Sequence, residues 1–92
     1  MEEHHLIVPR TARYHTLGES RTAKALWIVL HGYGHLARYF LRSFEGLERE
    51  LLIAAPEGLS RYYTDAEHTR VGATWMTRED RELAIPDNVG YV

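Results

Sequence analysis

A chain of 92 residues with 13 acidic and 11 basic side chains has a formal charge of -2, which steers neither nucleic acid nor an anionic membrane toward it and leaves small neutral ligands as the better fit. A hydrophobic share of 45% beside a charged share of 26% excludes disorder and fibre and leaves one globular domain, with room for a single core. The absence of cysteine excludes disulfides, thiolate metal cages and a cysteine nucleophile.

The N-terminus, Met1-Glu2-Glu3-His4-His5, is acidic, and the longest apolar run, Ala25 to Leu30, is far short of a signal segment or a bilayer span. A cytoplasmic protein is expected. Residues 5–17 predict two short strands broken at Pro9, with Leu6, Ile7 and Val8 before it and alternating Ala12, Tyr14 and Thr16 after it. Proline cannot donate to a ladder, so this opening is an edge strand or a hairpin corner. Gly18 to Arg21 is a turn.

Residues 25–30, Ala-Leu-Trp-Ile-Val-Leu, are apolar at every position, which predicts a central strand covered on both faces. From His35 to about Arg49 the apolar residues Leu36, Phe40, Phe44, Leu47 and Leu51 recur at steps of four, four, three and four, the pattern of an amphipathic helix on a sheet. Leu51 to Ala55 is a second buried strand, stopped by Pro56-Glu57-Gly58. Strand, glycine turn, helix and strand make a βαβ unit, expected to be parallel and right-handed, after an antiparallel opening. The fold class is α/β.

Residues 57–85 lack sustained periodicity, and a loop of that length in a small domain usually has a function or covers something. Tyr62, Tyr63, Trp75 and Met76 are its candidate substrate-pocket residues, while the charge run from Arg78 to Glu82 is a solvated surface. Ile85-Pro86-Asp87-Asn88 predicts a further helix with Asp87 as its cap.

The turn His31-Gly32-Tyr33-Gly34 fits two chemistries. Gly32-x-Gly34-x-x-Ala37 meets a dinucleotide fingerprint, with Glu57 some 25 residues on for a ribose hydroxyl. Against it, an antiparallel pair precedes the strand and His31 occupies the approach to the turn. Alternatively, a tight turn after a buried strand directs a backbone N–H at the oxygen of an acyl tetrahedral intermediate, a donor worth roughly 3–4 kcal/mol of barrier. In α/β-hydrolases such a donor lies in the loop between the third strand and the first helix, which is the place of His31 to Gly34 counting the two strands before it. A zinc site on His31 and His35, with His15 or His68, is not expected. Three imidazoles and a water suffice for zinc, but here a strand end and a helix start separate the pair.

"VLHGYG" resembles the H-G-x-G signature of the α/β-hydrolase superfamily, and "LLIAAPEG" resembles its next strand. With the opening strands, the chain is most similar to the phospholipase/carboxylesterase branch of serine esterases over most of residues 5–58. The resemblance implies that the backbone N–H of Tyr33 is an oxyanion donor, that His31 and Gly32 shape the loop, and that Gly34 lets the chain turn into the helix. It implies hydrolysis of a small or medium acyl ester through an acyl-enzyme, without cofactor or metal.

The family pattern next demands a G-x-S-x-G elbow, an acid and a histidine, in that order. Gly18-Glu19-Ser20 and Gly58-Leu59-Ser60 lack the second glycine, and every histidine lies at or before position 68. The resemblance therefore implies that residues 1–92 are the N-terminal segment of a single hydrolase domain, inert alone, with the triad beyond Val92. The expected partner is the remaining C-terminal part, as a second chain or a continuation. It also implies that the strand at 25–30 pairs on one side with that at 51–55 and is bare where the serine-bearing strand belongs, and a bare apolar edge is a pairing site. The alternative outside enzymology is an interaction module that recruits a partner through that edge.

Overall fold

The computed structural model describes residues 1–92 as β1 (Tyr14–Leu17), β2 (Ala25–Ile28), α1 (Ala37–Phe40) continued by a 3₁₀ turn (Leu41–Phe44), β3 (Leu51–Pro56), β4 (Ser60–Tyr63), β5 (Val71–Thr74) and α2 (Arg81–Tyr91). It is a small mixed α/β protein with two sheets. In the first, β3 is central: β1 pairs with it antiparallel, Tyr14 opposite Pro56, and β2 pairs with it parallel, Ala25 beside Leu51. The second sheet is the antiparallel hairpin β4–β5.

Side chains alternate along β3, so Ile53 and Ala55 face α1 and its 3₁₀ continuation, where with Ala37 and Leu41 they form the core, flanked by Leu17, Val29, Phe44 and Leu51. The opposite face carries Tyr14, Leu26 and Ile28, all exposed. Tyr14, Ile28, Ala54 and Pro56 line a shallow open groove there with Tyr91 and Val92 from the end of α2. The helix α2 is tied down by Asn88, whose Nδ2 donates to the Trp75 carbonyl at 2.6 Å, and by the Tyr91 hydroxyl, which donates to the Arg13 carbonyl at 2.9 Å.

Five expectations need correction. Residues 1–13 form no strand: Leu6, Ile7 and Val8 are exposed, because β1 already has β3 on one side and nothing holds a second strand on the other. The apolar run at 25–30 is an edge strand rather than a covered central one. It stops at Ile28, and Leu26, Trp27, Ile28 and Leu30 are between 46% and 58% exposed, since only β3 pairs with it.

The helix expected over 35–49 is one α turn and one 3₁₀ turn. Gly46, with φ of 100°, takes the left-handed conformation that other residues adopt at a cost and ends the regular structure. The long loop over 57–85 contains a hairpin and the start of α2. That helix begins at Arg81 behind Asp80, which makes no side-chain capping bond, and Asp87 lies inside it.

The accessible surface is 7412 Å², about 1,900 Å² more than the roughly 5,500 Å² typical of a folded monomer of this mass. The radius of gyration, 15.7 Å, likewise exceeds the roughly 12 Å of a closed domain of this length. The exposed residues 1–13 and the uncovered apolar side chains of β2 both add to this excess. No helix is long and apolar enough to cross a membrane.

Candidate functional site

Between β2 and α1 the chain turns through His31, Gly32, Tyr33 and Gly34, and nearly every polar group of the turn is tied. His31 is only 3% exposed. Its Nδ1 lies 2.8 Å from the Gly32 carbonyl, so this nitrogen carries the proton, and its Nε2 accepts the Gly58 N–H at 2.9 Å. The ring stacks on the Trp75 indole at 4.9 Å, and the indole Nε1 donates back to the His31 carbonyl at 2.9 Å. With both ring nitrogens spent on backbone groups, His31 is a pin joining β2 to the β3–β4 connection, and it is free neither for acid–base work nor for a metal.

The next residues are fixed in the same way. Gly32 N–H donates to His35 Nδ1 at 3.2 Å, and Gly34 N–H donates to the Ala73 carbonyl at 2.9 Å. In return the Ala73 N–H donates to the His35 carbonyl at 2.9 Å, a single antiparallel bridge that fastens β5 to the turn. This approach is so close that a Cβ on Gly72 would stand 2.5 Å from the Gly34 carbonyl oxygen. Gly34 itself needs its positive φ of 78°. Of the N–H groups of Gly32, Tyr33 and Gly34, that of Tyr33 alone donates to no group of the protein, and Tyr33 is 70% exposed.

Beneath the turn lies Glu57, 1% exposed. Its Oε1 accepts the Ala37 N–H at 3.1 Å, capping α1, and its Oε2 accepts from Arg13 at 2.9 Å and Arg61 at 2.6 Å. Burial alone would raise its pKa. The bonds from Arg13, Arg61 and Ala37, with the charge of Arg13, outweigh that and hold the carboxyl at about 2. Glu57 is thus an internal anion at the start of α1, where a dinucleotide would need room for its pyrophosphate and a free acid for its ribose.

Two of the four candidate pocket residues, Tyr62 and Trp75, lie against the turn, and the other two have other partners. The Tyr62 ring lies against that of Tyr33, centroids 5.3 Å apart and planes tilted 34°. Tyr63, next along β4 and so on its other face, stacks on His68 at 4.6 Å. Trp75 lies against His31, and Met76 accepts the Thr74 hydroxyl at 2.7 Å through its carbonyl. Beside the turn, then, are Trp75 against His31 and Tyr62 against Tyr33.

Sequence reasoning missed Arg13, Arg61, Gly72 and Ala73. Glu57 drew notice for another role, and nothing in one sequence signals that two arginines 48 residues apart close on it. The ligand-type side chains of Glu3, His5 and Asp80 have donor atoms within 4.8 Å of one another, all exposed. Arg78 and Arg81 share their cleft, so a cation there meets like charge.

Compared with known protein families, curated proteins and solved structures, the chain finds no match in any of the three.

Proposed function

We propose that this chain supplies the oxyanion-hole loop of a serine esterase of the α/β-hydrolase, phospholipase/carboxylesterase type, acting in the cytoplasm on a small or medium acyl ester through an acyl-enzyme. The observation that carries this reading is the unspent N–H of Tyr33, in a turn whose neighbouring N–H groups are bonded and whose frame is fixed by His31 and β5. As a nucleophile adds to an ester carbonyl, negative charge grows on the oxygen. A donor already aimed there pays no reorganisation cost, and its removal is worth about 10²–10³ in kcat. The serine, acid and histidine come from the remaining C-terminal part of the fold.

The partner reading is supported by β2, whose one edge pairs with β3 while the other is bare and apolar on both faces. The surplus surface of about 1,900 Å² exceeds the roughly 800 Å² that each partner contributes to a standard interface. A dinucleotide reading is disfavoured by Glu57, whose carboxylate is committed to Arg13, Arg61 and Ala37.

The test is purification from the native source with intact mass and a fluorophosphonate label. The reading expects a labelled polypeptide carrying G-x-S-x-G, joined to this chain or bound to it, and consumption of p-nitrophenyl acetate. In that assembly Tyr33→Pro, which deletes the N–H, lowers kcat by about 10²–10³, while Tyr33→Ala, which keeps it, lowers kcat much less. A stable 92-residue monomer with no such companion sinks the proposal. A companion without label or ester hydrolysis favours the second reading, an interaction module that uses the same β2 edge.

A further inference from the structure

Resting on the oxyanion-loop reading, we propose that Tyr33 and Tyr62 form an aromatic cradle that makes this site selective for esters of planar aromatic carboxylic acids. The residue that offers the free N–H also carries the first ring of the cradle, and Tyr33 keeps 70% of its surface exposed. Tyr62, reached from β4, lies against that ring, its centroid 5.3 Å away and its plane tilted by 34°, so the cradle is the outer face of the touching pair and not a slot between them.

Two features hold Tyr62 in place. A Cβ on Gly34 would stand 2.9 Å from the Tyr62 hydroxyl, so the absence of a side chain at Gly34 gives the phenol its seat. The Tyr33 hydroxyl beside it, with some desolvation, pushes the Tyr62 phenol up to about 12, as expected of two phenols in close contact.

The aromatic preference follows from reach and from ring electrostatics. In an aromatic acid the ring is one bond from the carboxyl carbon, so a carboxyl oxygen that accepts the Tyr33 N–H holds that ring within reach of the side chain of the same residue. A third ring then extends an offset or edge-to-face arrangement, which favours an aromatic partner over an aliphatic one of equal area. A flexible acyl chain gains only area and has rotors to immobilise.

The binding test uses the purified assembly of this chain with the rest of the fold, with this chain ¹⁵N-labelled, titrated with sodium acetate, benzoate and cyclohexanecarboxylate and read at the Tyr33 amide. Benzoate is expected to shift that amide with a Kd about 3- to 10-fold lower than cyclohexanecarboxylate, the range an added aromatic pair supplies, and lower still than acetate. Tyr62→Leu, which keeps bulk and loses the ring, is expected to equalise benzoate and cyclohexanecarboxylate while acetate still shifts the amide. Equal affinities in the unaltered chain overturn the cradle and leave the oxyanion reading standing. If no carboxylate moves the Tyr33 amide, the oxyanion reading fails and the cradle fails with it.

Discussion

The imidazole of His31 accepts the N–H of Gly58 at 2.9 Å, across 27 positions of sequence. That bond, the contact of Nδ1 with the Gly32 carbonyl and the stack on Trp75 make one side chain responsible for the join between β2, the glycine turn and the β3–β4 connection. His31→Ala leaves the buried Gly58 N–H without an acceptor and opens a void under Trp75, which costs about 2–4 kcal/mol. His31→Gln restores an acceptor without the stack and is expected to lose about half as much. Urea unfolding of the three proteins orders them, and equal midpoints would remove His31 as the pin.

Gly72 and Gly90 separate steric need from helix propensity. A Cβ at Gly72 meets the Gly34 backbone at 2.5 Å, whereas one at Gly90 meets nothing within 4 Å. Gly72→Ala therefore pushes β5 off the turn, breaks the His35–Ala73 bridge and costs roughly 2–3 kcal/mol. Gly90→Ala, inside α2, adds up to about 1 kcal/mol of stability. Thermal unfolding reads opposite signs for the two, and a neutral Gly72→Ala would mean that the hairpin does not clamp the turn.

How far these contacts can be read from one sequence depends on their range. The strand at 51–55, its parallel partner from Ala25, a strand around Tyr14 and the glycine turn follow from local pattern, because apolar runs and Gly-x-Gly are features of neighbouring residues; that β1 pairs with β3 does not. The hairpin β4–β5 does not: Ser60-Arg61-Tyr62-Tyr63 and Val71-Gly72-Ala73-Thr74 have no clean alternation, and what pairs them to the turn is the Ala73 bridge, a non-local contact. For the same reason Trp27 reads as buried. Its neighbours are all apolar, yet cover depends on whether anything pairs beyond β2. Glu57 was legible as a special acid but not as the anion of two arginines, since Arg13 lies 44 positions before it.

Glu57 gives the fold a pH dependence of defined sign. Its folded pKa of about 2 lies below the ordinary 4.5, so the folded state binds its proton less readily than the unfolded one. The contribution is complete above about pH 4.5 and is lost as the pH falls toward 2. A depression of this size in a buried group corresponds to about 3 kcal/mol. Urea midpoints measured from pH 6 to 2.5 are expected to fall across that window, and Glu57→Gln is expected to be less stable at pH 6 with a flatter profile. Parallel profiles for the two proteins would assign the acid sensitivity to other carboxylates.

Ile28 lies on β2 with its side chain in the open groove beside Tyr14, Ala54 and Val92, more than half exposed. If the run at 25–30 were the covered strand its composition suggests, Ile28→Lys would bury an unpaired charge and unfold the protein. On an edge strand with an open face the ammonium reaches water along its flexible stem, and the cost of folding stays below about 1 kcal/mol. The same substitution places a charge on the bare edge, a device by which natural sheets block edge-to-edge pairing. Ile28→Lys is therefore expected to keep the unfolding midpoint of the isolated chain while reducing its self-association in sedimentation velocity and its binding of the partner at β2. Loss of the fold with no gain in monomer would return β2 to the interior.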